Sequence, residues 1–215
     1  MKEIYRTVKN TACAELVEKR SRFISTVKPA ATEAEAVEFI NELKQKYWDA
    51  THNVYAYIIE ENNIMRYSDD GEPSGTAGMP VLDILKKEGL TNLVVVVTRY
   101  FGGILLGTGG LVHTYSRSAK QGVLAAQMID MLLCRELRIK CDYTLLGKIQ
   151  NEIHNRDIIE GEVTYTDNVE ISLFIPVGDF ERFKADMVEL TNAKAELIDG
   201  ATEYKEKLVI QKSAE

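Results

Sequence analysis

The stretch Leu93-Val94-Val95-Val96-Val97-Thr98-Arg99-Tyr100 decides the fold of the first part of the chain. Its apolar residues are consecutive, whereas a strand with one solvated face alternates apolar and polar residues. β-Branched residues favour extended backbone and pack well in sheets. The run therefore predicts a strand that is buried on both faces of a sheet.

The segments before this strand predict a mixed α and β arrangement. A strand is expected over 22–28, followed by a helix that begins after Thr32 and ends near Trp48. Thr32 and Glu35 have the spacing of a capping box. Apolar residues recur at helical intervals in this segment, which predicts that the helix covers one face of the sheet; they are Ala36, Phe39, Ile40, Leu43 and Tyr47.

A β-hairpin and two further helices complete the first half. Strands are expected over 53–60 and 64–67, joined by Asn62-Asn63, a pair suited to a tight turn. The segment 71–78 reads as a loop, and a short helix over 81–87 is expected to stop at Gly89. A second glycine loop over 102–110 leads into a helix from about Leu111 to Gln127.

The second half has a different order of elements. The pattern predicts strand 133–141, helix 143–155, strands 160–166 and 170–176, helix 179–191 and strand 195–197. This β-α-β-β-α-β order is typical of an antiparallel sheet with two helices on one face. We therefore predict an α+β protein of two domains, 1–131 and 132–215, with a helix giving way directly to a strand near Met131.

Composition excludes several classes of protein. The 215 residues are 45% hydrophobic and 27% charged with a net charge of −7, which indicates a soluble globular protein. No apolar run approaches the roughly 20 residues of a membrane span. The first residues lack the apolar segment of a signal peptide, so we expect a cytoplasmic protein. Three cysteines without CxxC spacing favour inert thiols over a disulfide framework or a zinc site.

The charges are distributed unevenly. Residues 1–132 contain 15 Lys or Arg and 16 Asp or Glu, whereas the remainder contains 11 and 17. No acidic residue occurs between Gly89 and Ile129. An anion is repelled least by this part of the chain.

A glycine-rich segment lies inside this acid-free stretch. Its main-chain N–H groups are candidates for binding a phosphate or a carboxylate, because the segment runs into a helix N-terminus; the candidates are Gly102, Gly103, Gly107, Thr108, Gly109 and Gly110. The spacing fits neither a P-loop, which requires Lys at position 108, nor GxGxxG, whose last position holds Val112. A tight connection between strand and helix remains the alternative interpretation.

Basic and aromatic side chains adjoin the glycine segment. His113, Arg117 and Lys120 share one face of the predicted helix. Arg99 ends the buried strand, and Tyr100 and Phe101 offer surfaces for stacking. Because no acidic residue is near them in sequence, these residues predict an anion or RNA site. The alternative is that Arg117 and Lys120 only keep the helix face solvated.

Three carboxylates precede the first glycine loop. Asp69, Asp70 and Glu72 are candidate ligands for Mg²⁺ or candidate acids and bases. The same residue types form turns and caps, and Asp70 or Glu72 could pair with Arg99 or Arg66. We favour the structural and ion-pair role.

The run from Tyr67 to Gly122 resembles the core of the IMPACT family, also called the YigZ family, through YSDDGEPSGTAGMPVL, VVVVTRYFGG and LLGTGGLVHTYSRSAKQG. The resemblance implies an N-terminal α/β sandwich like domain two of a ribosomal protein and domain four of elongation factor G. It also implies a ferredoxin-like C-terminal domain like domain five of that factor. Both analogues work on ribosomal RNA, and the eukaryotic relative regulates translation under stress.

From these observations we expect a non-enzymatic protein that binds RNA or the ribosome, needs no cofactor, has no DNA specificity and does not bind membranes. The basic segment of Lys19, Arg20 and Arg22 extends the RNA surface if it lies adjacent. One alternative is an enzyme that acts on a phosphorylated small molecule or nucleotide through the glycine loop and Mg²⁺. Another is a regulator that binds a protein partner through the acidic C-terminal domain.

Overall fold

A computed structural model describes residues 2–156 and 158–208 of the chain. The helices are α1 (Glu33–Lys46), α2 (Gly78–Lys87), α3 (Gly107–Ala125), α4 (Tyr143–Asn155) and α5 (Phe180–Thr191). The strands are β1 (Ile4–Val8), β2 (Ala12–Glu18), β3 (Ser21–Pro29), β4 (His52–Ile59), β5 (Ile64–Ser68), β6 (Leu93–Tyr100), β7 (Met128–Cys141), β8 (Ile159–Tyr165), β9 (Val169–Pro176) and β10 (Glu196–Leu208).

The valine strand β6 is buried, as predicted, and lies at the centre of the first sheet. The strands of this sheet lie in the order β2-β3-β6-β4-β5, and the pairs β2–β3, β3–β6, β4–β6 and β4–β5 are antiparallel. Val94 and Val96 pack in a cluster with the apolar residues of α1. Val95 and Val97 pack in a second cluster with residues of α2 and α3. Both faces of β6 are buried because helices cover both faces of this sheet.

The local signals around the first sheet are confirmed. The Glu35 N–H donates to Thr32 Oγ1 at 3.2 Å, and the Glu35 carboxylate accepts from the Ala31 N–H at 2.7 Å, which satisfies two donors at the start of α1. Asn62 and Asn63 both have positive φ angles, 61° and 50°, in the connection between β4 and β5. Asn tolerates this left-handed conformation better than most residues do.

The second sheet has the predicted β-α-β-β-α-β order, from β7 through α4, β8, β9 and α5 to β10. Its strands lie in the order β10-β7-β9-β8, and β1 also pairs with β7. Apolar residues of β7 and β9 pack with those of α4 and α5 in one core. The protein is therefore a mixed α+β protein with two antiparallel sheets, as the sequence predicted.

Several predicted boundaries are wrong. The third helix begins at Gly107 and ends at Ala125, so the residues assigned to a glycine loop form its first turn. α3 gives way directly to β7 as predicted, but the change occurs at residues 126–127 instead of near Met131. The last strand is longer than predicted, and no strand was predicted at β1 or β2.

The described chain divides into two compact units. One contains Tyr5–Asp130, and the other contains Met131–Lys207 together with the residues up to Ile4. The predicted division between residues 131 and 132 stays a prediction about separately folding domains, and residues 209–215 of the second domain lie outside the described residues. Within the described ranges, no helix has the length and apolar character that spanning a membrane requires.

Candidate RNA-binding surface

A turn with two basic residues lies at the centre of the candidate surface. Lys19 and Arg20 connect β2 to β3, and Glu18 pairs with Ser21 across the hairpin. Both turn residues have positive φ angles, 43° and 66°. Two-residue hairpin turns with such angles favour Asn and Gly, since a larger side chain is strained there. The chain thus keeps two long basic side chains at a position where smaller residues fit better.

Gly102 fixes this turn against the segment that leaves β6. A Cβ atom built on Gly102 would lie 2.0 Å from the carbonyl carbon of Arg20, so only glycine permits this approach. The Gly102 N–H also donates to Ser21 Oγ at 3.1 Å. The condition for including the basic segment, that it lies adjacent to the glycine segment, is therefore met by the turn of Lys19 and Arg20.

Lys19 and Arg20 are exposed, and neither forms an ion pair with any of the residues that the structure describes. Their neighbour Arg22 differs, because its Nε lies 2.7 Å from Glu15 Oε1. The hydrogen bond and charge of Glu15 raise the pKa of Arg22. Lys19 and Arg20 are consequently the basic side chains best placed to meet a phosphate.

The aromatic residues after β6 are held by a neighbouring turn. Tyr100 donates its hydroxyl hydrogen to Asp49 Oδ1 at 2.9 Å, and the Phe101 N–H donates to Thr51 Oγ1 at 3.0 Å. Phe101 is 47% exposed, and Trp48, which precedes Asp49, is 83% exposed. Both aromatic side chains are therefore accessible to solvent.

The start of α3, which follows Gly102 by five residues along the chain, carries further main-chain donors. Gly107, Thr108 and Gly109 are exposed, no side chain caps the helix, and its first turn contains no acidic residue. The first N–H groups of a helix lack partners within the helix and favour an anion. His113, one turn further along, is also exposed. We use the term basic edge for Lys19, Arg20, Phe101, Gly102 and the helix start 107–110.

Arg99 does not belong to the basic edge, contrary to the prediction. It is only 5% exposed, and its Nη1 lies 2.5 Å from Oε1 of the buried Glu72. Tyr115 donates its hydroxyl hydrogen to the same carboxylate oxygen at 2.8 Å. Burial, and then the charge of Glu72, raise the pKa of Tyr115, which keeps it a neutral donor. Arg99 thus meets a carboxylate inside the protein instead of an external anion.

Arg117 and Lys120 also have acidic partners, so the expectation that no acid lies near them is wrong. Arg117 Nη1 lies 3.3 Å from Glu18 Oε2, and Lys120 Nζ lies 3.8 Å from Glu88 Oε1. Both cations are exposed. Exposed ion pairs contribute only about 0–1 kcal/mol, so they exchange partners readily. Arg117 lies close to the basic turn through its contact with Glu18, and both cations are partly neutralised.

The three candidate metal ligands have structural roles. The Asp69 carboxylate accepts the N–H groups of Gly75, Ala77 and Gly78 at 2.8, 3.1 and 2.8 Å, which caps the start of α2. Asp70 accepts the Asn53 N–H at 2.6 Å and pairs with Lys44 Nζ at 2.8 Å.

With Glu72 paired to Arg99, each of these three carboxylates already has a partner within the protein. Across the described residues, no group of three or more His, Cys, Asp or Glu side chains is placed to hold a metal. Asp69, Asp70 and Glu72 thus have the structural and ion-pair roles that the sequence interpretation favoured.

Two residues of the surface escaped the sequence interpretation. Ser21 belongs to no recognisable sequence motif. Its hydroxyl nevertheless accepts the Gly102 N–H and lies 3.5 Å from Arg99 Nη2. Trp48, the single tryptophan of the chain, was expected only to mark the end of a helix. Its position beyond the apolar stripe of the helix is the signal that indicates an exposed side chain.

Comparisons with known proteins agree with this architecture. Residues 19–123 match the Impact N-terminal domain, and residues 139–194 match a domain of unknown function, DUF1949. A crystal structure described as that of a hypothetical protein is 26% identical, has a TM-score of 0.59 and covers 99% of this chain and 100% of its own.

Two bacterial relatives extend the match over most of the sequence. IMPACT family member YigZ of Escherichia coli (strain K12) is 30% identical over 190 residues, which is 84% of this chain and 90% of that protein. IMPACT family member YvyE of Bacillus subtilis (strain 168) is 44% identical over 206 residues, which is 95% of either chain. This chain, with both matched domains in order, belongs to the IMPACT family.

Proposed function

We propose that this protein is a non-enzymatic binding protein for RNA or the ribosome, with a role in translation regulation. The observation that carries the proposal is the contact between the basic turn and Gly102, which joins two cations without an ion pair among the described residues to the segment that leads into the uncapped start of α3. Membership of the family named after the regulator IMPACT supports the link to translation.

The electrostatics of the basic edge support a phosphate partner. The whole chain carries a net charge of −7, so a general attraction to nucleic acid is not expected. Lys19 and Arg20 nevertheless have no carboxylate partner among the described residues, and the helix start contributes further positive potential. Binding should therefore be local, modest in affinity and sensitive to salt.

Filter binding with purified ribosomes and a ribosomal RNA fragment tests the proposal, at about 50 and 200 mM salt. Lys19→Ala/Arg20→Ala should weaken binding and reduce the slope of log K against log salt by about 2, because each phosphate contact contributes about 0.9. Lys86→Ala/Lys87→Ala, at the exposed end of α2, changes the net charge equally and is the matched control. Lack of retention at low salt would refute the proposal.

A protein partner for the second unit is a further candidate. The second sheet has a cavity of about 380 Å³ whose lining includes Glu136, Glu162 and Glu170, with Arg138 among them. Its net negative lining favours a basic segment of a partner over RNA. Pull-down with the full chain and its Glu162→Gln/Glu170→Gln variant tests this candidate. The variant should capture a basic partner more weakly, because it lacks two negative charges of the cavity lining.

A further inference from the structure

The side of Phe101 that faces the protein is fixed by a charged group. The Arg99 guanidinium carbon lies 5.6 Å from the centre of the Phe101 ring and 5.3 Å from that of Phe23. Glu72 holds the same guanidinium from within the core. Arg99 therefore packs against the Phe101 ring, and about half of Phe101 stays exposed.

The backbone of Phe101 is anchored from two directions. Its own N–H donates to Thr51 Oγ1, and the next N–H, that of Gly102, donates to Ser21 Oγ. The approach of Gly102 to the Arg20 backbone leaves no room for this segment to shift toward the basic turn. Phe101 is thus presented as a preorganised aromatic platform beside two cations.

Two exposed apolar side chains follow on the same segment. Ile104 is 41% exposed and Leu105 is 83% exposed, and neither can contribute to binding a phosphate. The side chains of Ile104 and Leu105 would add no affinity for a ligand that offered only the phosphate backbone of a duplex. An unpaired nucleotide has a base with exposed π-faces and a charged phosphate. The base can stack on the exposed aromatic and apolar groups, and the phosphate can bind the cations beside them.

We propose that the basic edge binds unpaired nucleotides of RNA, with one base stacked on Phe101 and neighbouring phosphates on Lys19 and Arg20. The inference rests on the proposed function and narrows its ligand to single-stranded segments and loops. In a duplex the faces of the bases are already stacked on each other, so Phe101 gains no contact there. The Phe101 platform, and not the cations, then distinguishes single-stranded from duplex RNA.

Fluorescence anisotropy with the full chain tests this inference. The probes are a labelled RNA strand of about 12 nucleotides and the same strand annealed to its complement, at low salt. The single strand should bind more tightly, and Phe101→Ala should reduce its affinity about 5- to 150-fold, as expected for the loss of one base stack. Phe101→Tyr should retain the affinity, since the stacking face is kept. Tyr165→Ala removes a 58% exposed aromatic residue of the second unit and should change nothing.

A spectroscopic readout separates stacking from a structural effect. A strand that contains 2-aminopurine should change its fluorescence on binding to the wild-type chain and to Phe101→Tyr, but not on binding to Phe101→Ala at a saturating concentration. Equal affinity for both RNA forms, or an equal loss for both in Phe101→Ala, would overturn the inference and leave the proposed function intact. Absence of binding to either form by the wild-type chain would overturn both.

Discussion

Arg99 Nη1 lies 2.5 Å from Glu72 Oε1, and the two residues are 5% and 8% exposed. This buried ion pair joins the end of β6 to the loop before α2, and the guanidinium also supports the ring of Phe101. A charge in the core is stable only while its partner is present. The pair therefore connects the stability of the first unit to the shape of the basic edge.

Glu72→Gln should lower the free energy of unfolding by about 3 to 5 kcal/mol, because it leaves the Arg99 charge buried without a carboxylate. Urea denaturation followed by circular dichroism measures the effect. Arg99→Met/Glu72→Met removes both charges and should be destabilised less than the single variant. A single variant as stable as the wild type would show that the pair is not buried as described.

Gly102→Ala should destabilise the protein by about 1 to 3 kcal/mol, because the new Cβ overlaps the Arg20 backbone. The matched control is Gly109→Ala in the first turn of α3, where a Cβ atom meets nothing within 4 Å. That change should be neutral or stabilise by up to about 1 kcal/mol, since Ala favours helix more than Gly does. Thermal denaturation of both variants compares them directly, and equal melting temperatures would contradict the close approach.

Glu18→Gln should raise the affinity for RNA about two- to five-fold at low salt, because it releases Arg117 from an exposed ion pair worth at most about 1 kcal/mol. Glu42→Gln on α1, which covers the opposite face of the sheet, removes the same charge away from the basic edge and is the control. Filter binding measures both variants. If Glu18→Gln binds no better than Glu42→Gln, Arg117 takes no part in binding.

Thiol titration should reveal one fast and two slow cysteines. Cys13 is exposed, whereas Cys134 and Cys141 are buried in β7. Burial raises the pKa of Cys134 and of Cys141, so the reactive thiolate of each stays scarce until a higher pH than for a free thiol. A disulfide reagent at pH 8 should modify Cys13 first, and all three thiols should react after unfolding. A second fast thiol in the folded chain would contradict the burial of β7.

Local and periodic features of the fold were predictable from the sequence. The valine run of β6 indicates burial on both faces, because a strand covered on both faces does not alternate apolar and polar residues. The Thr32–Glu35 box marks the start of α1 because both partners lie within one turn. β2 was missed because ACAELVE mixes alanine and glutamate, which favour helix, with few β-branched residues.

The ion pairs of the candidate site were beyond sequence reasoning. Arg117 and Glu18 are 99 residues apart along the chain, and Arg99 and Glu72 are 27 apart. A stretch without acids in the sequence does not remain without acids in space once strands from elsewhere pair beside it. The basic turn was suggested by composition, but its contact with Gly102 depends on the pairing of β3 with β6.

The anchoring of Gly102 against Arg20 has a consequence for the kinetics of recognition. The β2–β3 turn and the segment after β6 are far apart in the sequence but are packed against each other in the folded protein. A ligand therefore meets a surface that is already assembled. Little conformational entropy is lost on docking. Association should then be limited by diffusion and orientation, without a slow rearrangement, and the observed rate should increase linearly with ligand concentration.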